Sequence, residues 1–96
     1  MPHVGKLRIA IAGAGMVTHY HLKAWSRIPG VEVVAIYNRH LEKAIGRAKE
    51  FGIPKTYSDV GKMLDQERPD VLDIAVATEV HSEFAMMAAE RGTHIL

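Results

Sequence analysis

Apolar positions along the chain alternate between two periods. Leu7-Arg8-Ile9-Ala10-Ile11-Ala12 is short, β-branched and halted by Gly13, which marks a strand. From Met16 to Ile28 the period changes. Val17, Tyr20, His21, Ala24, Trp25 and Ile28 fall on one helical face, so a helix that buries that face is predicted, with Trp25 in the core. Pro29-Gly30 stops it, because proline cannot continue the hydrogen-bond ladder and glycine suits the exit turn. Val31 to Tyr37 is a second strand. Leu41, Ala44, Ile45 and Ala48 form a second helical stripe, closed by Gly52 and Pro54. Thr56-Tyr57 gives a very short third strand, and Ser58 and Asp59 are capping residues for a helix through Val60, Met63 and Leu64. After a turn at Arg68-Pro69-Asp70, Val71 to Ala77 reads as an apolar strand interrupted by Asp73. Phe84, Ala85 and Ala88 mark a last helix that ends at Gly92, and His94-Ile95-Leu96 starts another strand.

Strands alternating with helices of this length predict an α/β fold with parallel pairing and right-handed crossovers. Strands apolar on both sides fit a doubly wound sheet with helices on both faces. The alternative of four helices would have to turn the valine-rich stretches 31–37 and 71–77 into helix. Residues 1–96 make one domain at most, with no internal repeat, linker or low-complexity segment.

Composition narrows the function classes. Apolar residues are 48% and charged residues 24%, a globular balance that argues against disorder. There is no cysteine, which excludes disulfides and thiolate metal sites. No apolar run approaches the ~18 residues of a spanning helix, and Met1-Pro2-His3-Val4-Gly5-Lys6 lacks the apolar core of a secretory signal. The expectation is a cytoplasmic chain with no membrane partner. A net charge of +1 gives no basic footprint for nucleic acid. The sum hides an asymmetry: residues 1–48 carry a net +5 and residues 49–96 a net −4. A positive first half suits an anionic ligand.

The candidate chemistry sits at Gly13-Ala14-Gly15-Met16-Val17-Thr18, directly after the first strand and at the opening of the first helix. In a dinucleotide site the first glycine permits the tight turn. The second lets a pyrophosphate approach the backbone. Free N–H groups around Met16 and Val17 then face the phosphate with the positive end of the helix dipole behind them. The third position usually holds a small residue. Here Thr18 implies a looser contact or a hydroxyl used locally. A G-x-G alone is weak, and its place between strand and helix gives it meaning.

At the end of the second strand an NAD site commonly carries an acid for the adenosine ribose. This chain has Asn38-Arg39. Asparagine can bond a ribose hydroxyl without repelling a 2′-phosphate, Arg39 can pair with that phosphate, and Lys43 can add a second cation. NADP is therefore expected over NAD. The plainer reading is a polar turn before a helix.

These residues resemble the amino-terminal domain of the Gfo/Idh/MocA oxidoreductases, the glucose–fructose oxidoreductase, inositol dehydrogenase and rhizopine-catabolism type, from about Leu7 to Leu96. Gly13 and Gly15 match the family's first two glycines. His21, Leu22 and Ala24 match an H-L-x-A pattern in its first helix, and Val34 to Arg39 matches its second strand and ribose-binding tip. Tyr57-Ser58-Asp59, Pro69-Asp70-Val71 and the run from Ala89 to Leu96 match later segments, the last with Thr93 where the family has lysine. The family's Thr-Pro pair, which borders the nicotinamide, falls on Val76-Ala77, beside Thr78 and ahead of His81. Loss of the proline puts that loop's shape in question.

The resemblance implies a Rossmann-type fold and an NAD(P)-dependent oxidoreductase. Hydride would pass to or from a hydroxyl-bearing carbon of a sugar, cyclitol or related small molecule. It also implies a Glu-Lys-Pro motif just beyond Leu96 that carries the catalytic lysine. A carboxy-terminal domain would supply the substrate pocket and a homo-oligomer interface. No catalytic residue is then expected within residues 1–96, and the chain alone would be inactive. The alternative is a stand-alone or degenerate nucleotide-binding sensor.

Other conspicuous residues have ordinary readings. His19 and His21 point to different helix faces, so no metal pair is expected. His81 is either a loop residue of the site or structural. Asp73 reads as a polar residue near a strand's start rather than a poised carboxylate. Phe84, Met86 and Met87 read as helix packing.

Overall fold

A computed structural model describes residues 6–96, and the reading of the extreme amino terminus as lacking a secretory signal falls on residues outside them. The chain runs β1 (Leu7–Ala12), α1 (Met16–Trp25), β2 (Val31–Tyr37), α2 (Leu41–Phe51), β3 (Lys55–Tyr57), α3 (Val60–Glu67), β4 (Val71–Ile74), α4 (Thr78–Glu90) and β5 (His94–Ile95). All neighbouring strands are parallel, in the order β3-β2-β1-β4-β5. This is the alternating, doubly wound α/β sheet that the periodicity predicts.

The two faces of the sheet hold separate cores. Ala10 and Ala12 of β1 share a cluster with Met63 and Leu64 of α3 and Phe84 and Ala88 of α4. Ile11 and Ile36 face the other way and pack with Leu22 of α1 and Ala44 and Ala48 of α2. Alternation with period 2 in β1 thus places alanine under one helix layer and isoleucine under the other. The register of β1 on β2 shifts between Ile9 and Ala10, where Val33 is followed by Ala35 in the pairing. Val34 is the extra residue of this bulge, and Val34 and Ala35 both join the α3/α4 cluster.

Three boundaries and faces differ from the sequence reading. α1 ends at Trp25, and Arg27 and Ile28 continue only as tight turns whose amides donate to Ala24 and Trp25 carbonyls. β4 ends at Ile74, because the chain then bends past β1 into α4. The buried seam of α1 is Thr18 and Leu22, while Val17 is 57% and Tyr20 63% exposed. The seam is set by where the helix leaves the glycine turn, close against the sheet, and apolarity does not choose it. His21 and Trp25 flank that seam, one turn apart, and Trp25 is half-buried rather than core.

Their partner is Asp73, wholly buried on β4. The Trp25 indole N–H donates to its Oδ2 at 2.8 Å, and His21 Nδ1 lies 2.8 and 2.9 Å from its two oxygens. A carboxylate only accepts, so it is the Nδ1–H form of His21 that donates to it. Asp73 therefore ties β4 to α1, and the reading of it as an incidental polar residue is corrected.

A second tie is made by backbone alone. Gly13 has φ +115°, and a Cβ there would sit 2.2 Å from the carbonyl oxygen of Ala75. Here both the left-handed conformation and the close approach require glycine.

Two outcomes are expected in thermal denaturation followed by circular dichroism. Asp73→Ala leaves two donors without their acceptor and costs about 2–3 kcal/mol, a fall in Tm of roughly 10 °C or more for a chain this size. A Tm within about 2 °C of wild type would show that the buried carboxylate does not hold α1. Gly13→Ala adds a backbone clash to left-handed strain and costs about 3 kcal/mol or more.

Candidate functional site

The carboxyl ends of β1, β2 and β4 lie side by side, since Ala12 pairs with both Tyr37 and Ile74. The next residues, Gly13, Asn38 and Ala75, open three loops on one edge of the sheet. From β1 the chain crosses to β2 on one side, and from β4 to β5 on the other. A crevice forms where these paths diverge, the usual ligand position in open parallel sheets. All ten residues singled out for cofactor contact lie along this edge: Gly13, Gly15, Met16 and Val17 after β1, Asn38 and Arg39 after β2, and Val76, Ala77, Thr78 and His81 after β4.

The glycine turn is held from within the sheet, the Gly13 amide donating to the Tyr37 carbonyl at 2.7 Å. Gly15 caps α1 in an extended conformation without a side-chain hydrogen bond. A Cβ on Gly15 would meet nothing within 4 Å. This glycine, unlike Gly13, is not demanded by packing, and the space before it is what an approaching pyrophosphate needs. Met16 and Val17 are the first helical residues, so their amides are among the donors a helix start leaves unpaired. No acid sits in the first turn of α1 to compete for them. The donor set therefore fits a dinucleotide phosphate.

Thr18 departs from both alternatives drawn from its sequence. It is fully buried, and its Oγ1 has no hydrogen-bond partner among the described residues. That oxygen lies 3.2 Å from where a Gly13 Cβ would be. The contact is tight, and the hydroxyl is not used locally.

At the tip of β2, the Asn38 amide N–H donates to the Tyr57 carbonyl at 3.1 Å, and Nδ2 donates to the His40 carbonyl at 2.9 Å. The side chain shapes the turn into α2 and keeps Oδ1 as its acceptor. Arg39 and Lys43 are exposed and form no salt bridge among the described residues. Burial raises the Tyr37 phenol above its ordinary pKa, partly opposed by the Arg39 charge. Its ring meets Phe84 edge-on with centroids 5.4 Å apart.

Sequence reasoning stopped at Lys43 and missed Arg47, four residues on and on the same side of α2. Both line a shallow hollow of about 240 Å³ with Ala14, Gly46 and Glu50. Arg47 Nε donates to the Ala14 carbonyl and Nη2 to the Gly15 carbonyl, both at 3.2 Å. Its Nη1 reaches Glu50 Oε1 at 2.8 Å. His19 Nδ1 lies 3.3 Å from both Arg47 Nη1 and Glu50 Oε2, and it can accept from the first or donate to the second.

After β4, Val76 packs partly on the α3/α4 cluster, Ala77 precedes α4, and Thr78 is its first residue. His81 is half-buried in the first turn. Ala77 has φ −59°, the value a proline would impose, so the loop keeps that conformation without the proline. A larger hollow of about 400 Å³ lies at the opposite edge, lined by Asp65, Arg68 and Arg91 among others, and none of the ten residues reaches it. Among the described residues, no group of three or more His, Asp or Glu is placed to hold a metal ion, and no helix is long and apolar enough to cross a membrane.

Known proteins are similar to this chain in sequence and in fold. D-apiose dehydrogenase of Paraburkholderia graminis is 34% identical over 89 residues, which cover 93% of this chain and 24% of that one. The scyllo-inositol 2-dehydrogenase (NADP(+)) of Bacillus subtilis is 28% identical over 90 residues, covering 94% and 27%. The structure of a levoglucosan dehydrogenase in complex with NADH and levoglucosan superimposes with a TM-score of 0.88 at 28% identity, covering 94% of this chain and 26% of that one. The chain thus spans about a quarter of the length of these relatives. A profile of the Gfo/Idh/MocA oxidoreductases, with their NAD-binding Rossmann fold, matches residues 7–96. With the glycine turn, the crevice and the strand order all in place, the chain belongs to the Gfo/Idh/MocA oxidoreductase family as its NAD-binding Rossmann domain.

Proposed function

We propose that this domain binds and aims a nicotinamide dinucleotide for an oxidoreductase that acts on a hydroxyl-bearing carbon of a sugar, cyclitol or related small molecule. The observation that carries the reading is the open space before Gly15 at the start of α1. The names of the relatives supply the substrate class, being dehydrogenases of apiose, scyllo-inositol and levoglucosan. When bound, the nicotinamide accepts or donates the hydride. The chain's own part is to hold the pyrophosphate at the Gly15, Met16 and Val17 amides, receive the adenosine ribose at Asn38, and border the nicotinamide with Val76, Ala77, Thr78 and His81. The catalytic lysine, the substrate pocket and a homo-oligomer interface belong to sequence beyond Leu96 in this proposal. The protein works in the cytoplasm, without a nucleic-acid or membrane partner.

NADP is the preferred cofactor in this reading. Asn38 brings no negative charge to the ribose, and Arg39 and Lys43 are exposed cations without a salt-bridge partner among the described residues. A 2′-phosphate would find both.

Separate titrations of NADPH and NADH into the 96-residue chain test this. NADPH should bind about 10-fold more tightly, and Arg39→Ala should remove most of that margin. Tighter NADH binding would overturn the preference. Gly15→Ala should leave the Tm unchanged and weaken both nucleotides; undiminished binding would move the pyrophosphate away from this turn.

A further inference from the structure

We propose that Arg47 is a positioning residue for the dinucleotide, holding the glycine turn so that two of its amides face the open side. The inference rests on the cofactor reading above. Two successive carbonyls, Ala14 and Gly15, take Nε and Nη2 of one guanidinium at equal distances of 3.2 Å. No cis peptide occurs among the described residues. In a trans peptide the C=O and N–H point in opposite directions. The Ala14 carbonyl shares its peptide with the Gly15 amide, and the Gly15 carbonyl shares its peptide with the Met16 amide. Anchoring the two oxygens toward α2 therefore turns both N–H groups away from α2.

The turn needs such an anchor. Glycine resists rotation of its flanking peptides least of all residues, and Gly15 has no side chain to cap the helix. The Gly15 carbonyl also accepts the His19 amide at 3.2 Å, the first bond of α1. Arg47 is itself restrained, 21% exposed and tied to Glu50.

A direct phosphate contact is the competing role for this arginine. Against it, the single Nε–H and one N–H each on Nη2 and Nη1 are already taken, by Ala14, Gly15 and Glu50 respectively. The planar fork matches two adjacent carbonyls, and a lysine could serve only one of them at good geometry.

The test titrates NADH and NADPH into wild type, Arg47→Met and Arg47→Lys at several salt concentrations, with a thermal melt of each. Arg47→Met should weaken both nucleotides by the same factor, about 10-fold, with the salt dependence of Kd unchanged. Arg47→Lys should recover only part of the loss. In the nucleotide-free Arg47→Met chain, the Gly15 and Met16 amide resonances should shift or broaden. Binding within twofold of wild type, or unmoved Gly15 and Met16 resonances, would overturn the proposal. So would a loss confined to NADPH with a shallower salt dependence, which makes Arg47 a 2′-phosphate ligand. Full recovery by Arg47→Lys would overturn it too, leaving charge alone. If Arg47→Met does not fold, Arg47→Lys decides: several-fold weaker binding supports the role, and equal binding removes it. A wild type that binds neither nucleotide would instead sink the cofactor reading and this inference with it.

Discussion

The backbones of β1 and β4 come so close after Ala12 and Ile74 that a single Cβ at Gly13 would strike the Ala75 carbonyl. The functional edge of the sheet depends on that approach. It brings the turn into α1 and the loop into α4 to one point before they diverge. Two residues upstream, Asp73 binds His21 and Trp25 of α1 from inside the sheet. α1 is thus fastened to β4 by the buried carboxylate, and the glycine turn that leads into it packs on the backbone just after β4. The unpaired amides at the start of α1 thus lie on the same edge as the Val76–His81 loop, as the proposed binding of the two halves of one extended ligand requires.

The parts legible in the sequence were those that periodicity and glycine placement encode. The valine-rich run 31–37 is a strand throughout and the run 71–77 a strand as far as Ile74, the capping Asp59 accepts from the Lys62 amide, and Gly13 stands where a strand must turn into a helix. The packed face of α1 was not legible, because apolarity points to Val17 and Tyr20 while the helix buries Thr18 and Leu22. The demand for a small residue at the third position of the glycine turn was the available signal that Thr18 faces the sheet. Asp73 was read as incidental because its partners are 52 and 48 residues away, beyond any local pattern. Arg47 escaped for a different reason. It bonds backbone carbonyls, which every residue has, so nothing in its partners' identities betrays it. The missing proline shows the reverse case: Ala77 takes up the backbone angle that proline would have imposed, and the departure changes the sequence without changing φ.

Charge completes the account, because the whole-chain sum of +1 says little about the site. Many acids of the second half are engaged in structural contacts. Asp59 caps α3, Asp65 pairs with Arg91, Glu67 accepts from Tyr57 and Arg8, Asp70 accepts from the Arg8 amide, and Asp73 is the tie to α1. Of the first-half cations on this side, Arg47 is paired with Glu50, while Arg39 and Lys43 form no salt bridge among the described residues. With a Debye length of about 8 Å at physiological ionic strength, an anion at the turn responds to these neighbours and hardly at all to the net charge.

Of the helix starts on this edge, those of α1 and α4 follow the two strands between which the crevice opens, and their chemistry separates them. The first turn of α4 contains Glu79, which already offers negative charge to that helix's dipole. The first turn of α1 contains no acid, begins at a glycine with open space before it, and has Lys43 of α2 beside the turn. A phosphate therefore gains most at α1, while the start of α4, with its own charge and the exposed Ala77 and Thr78, suits a neutral or cationic ring. In the proposed cofactor reading, that difference orients the dinucleotide along the crevice, with its pyrophosphate at β1 and its nicotinamide at β4.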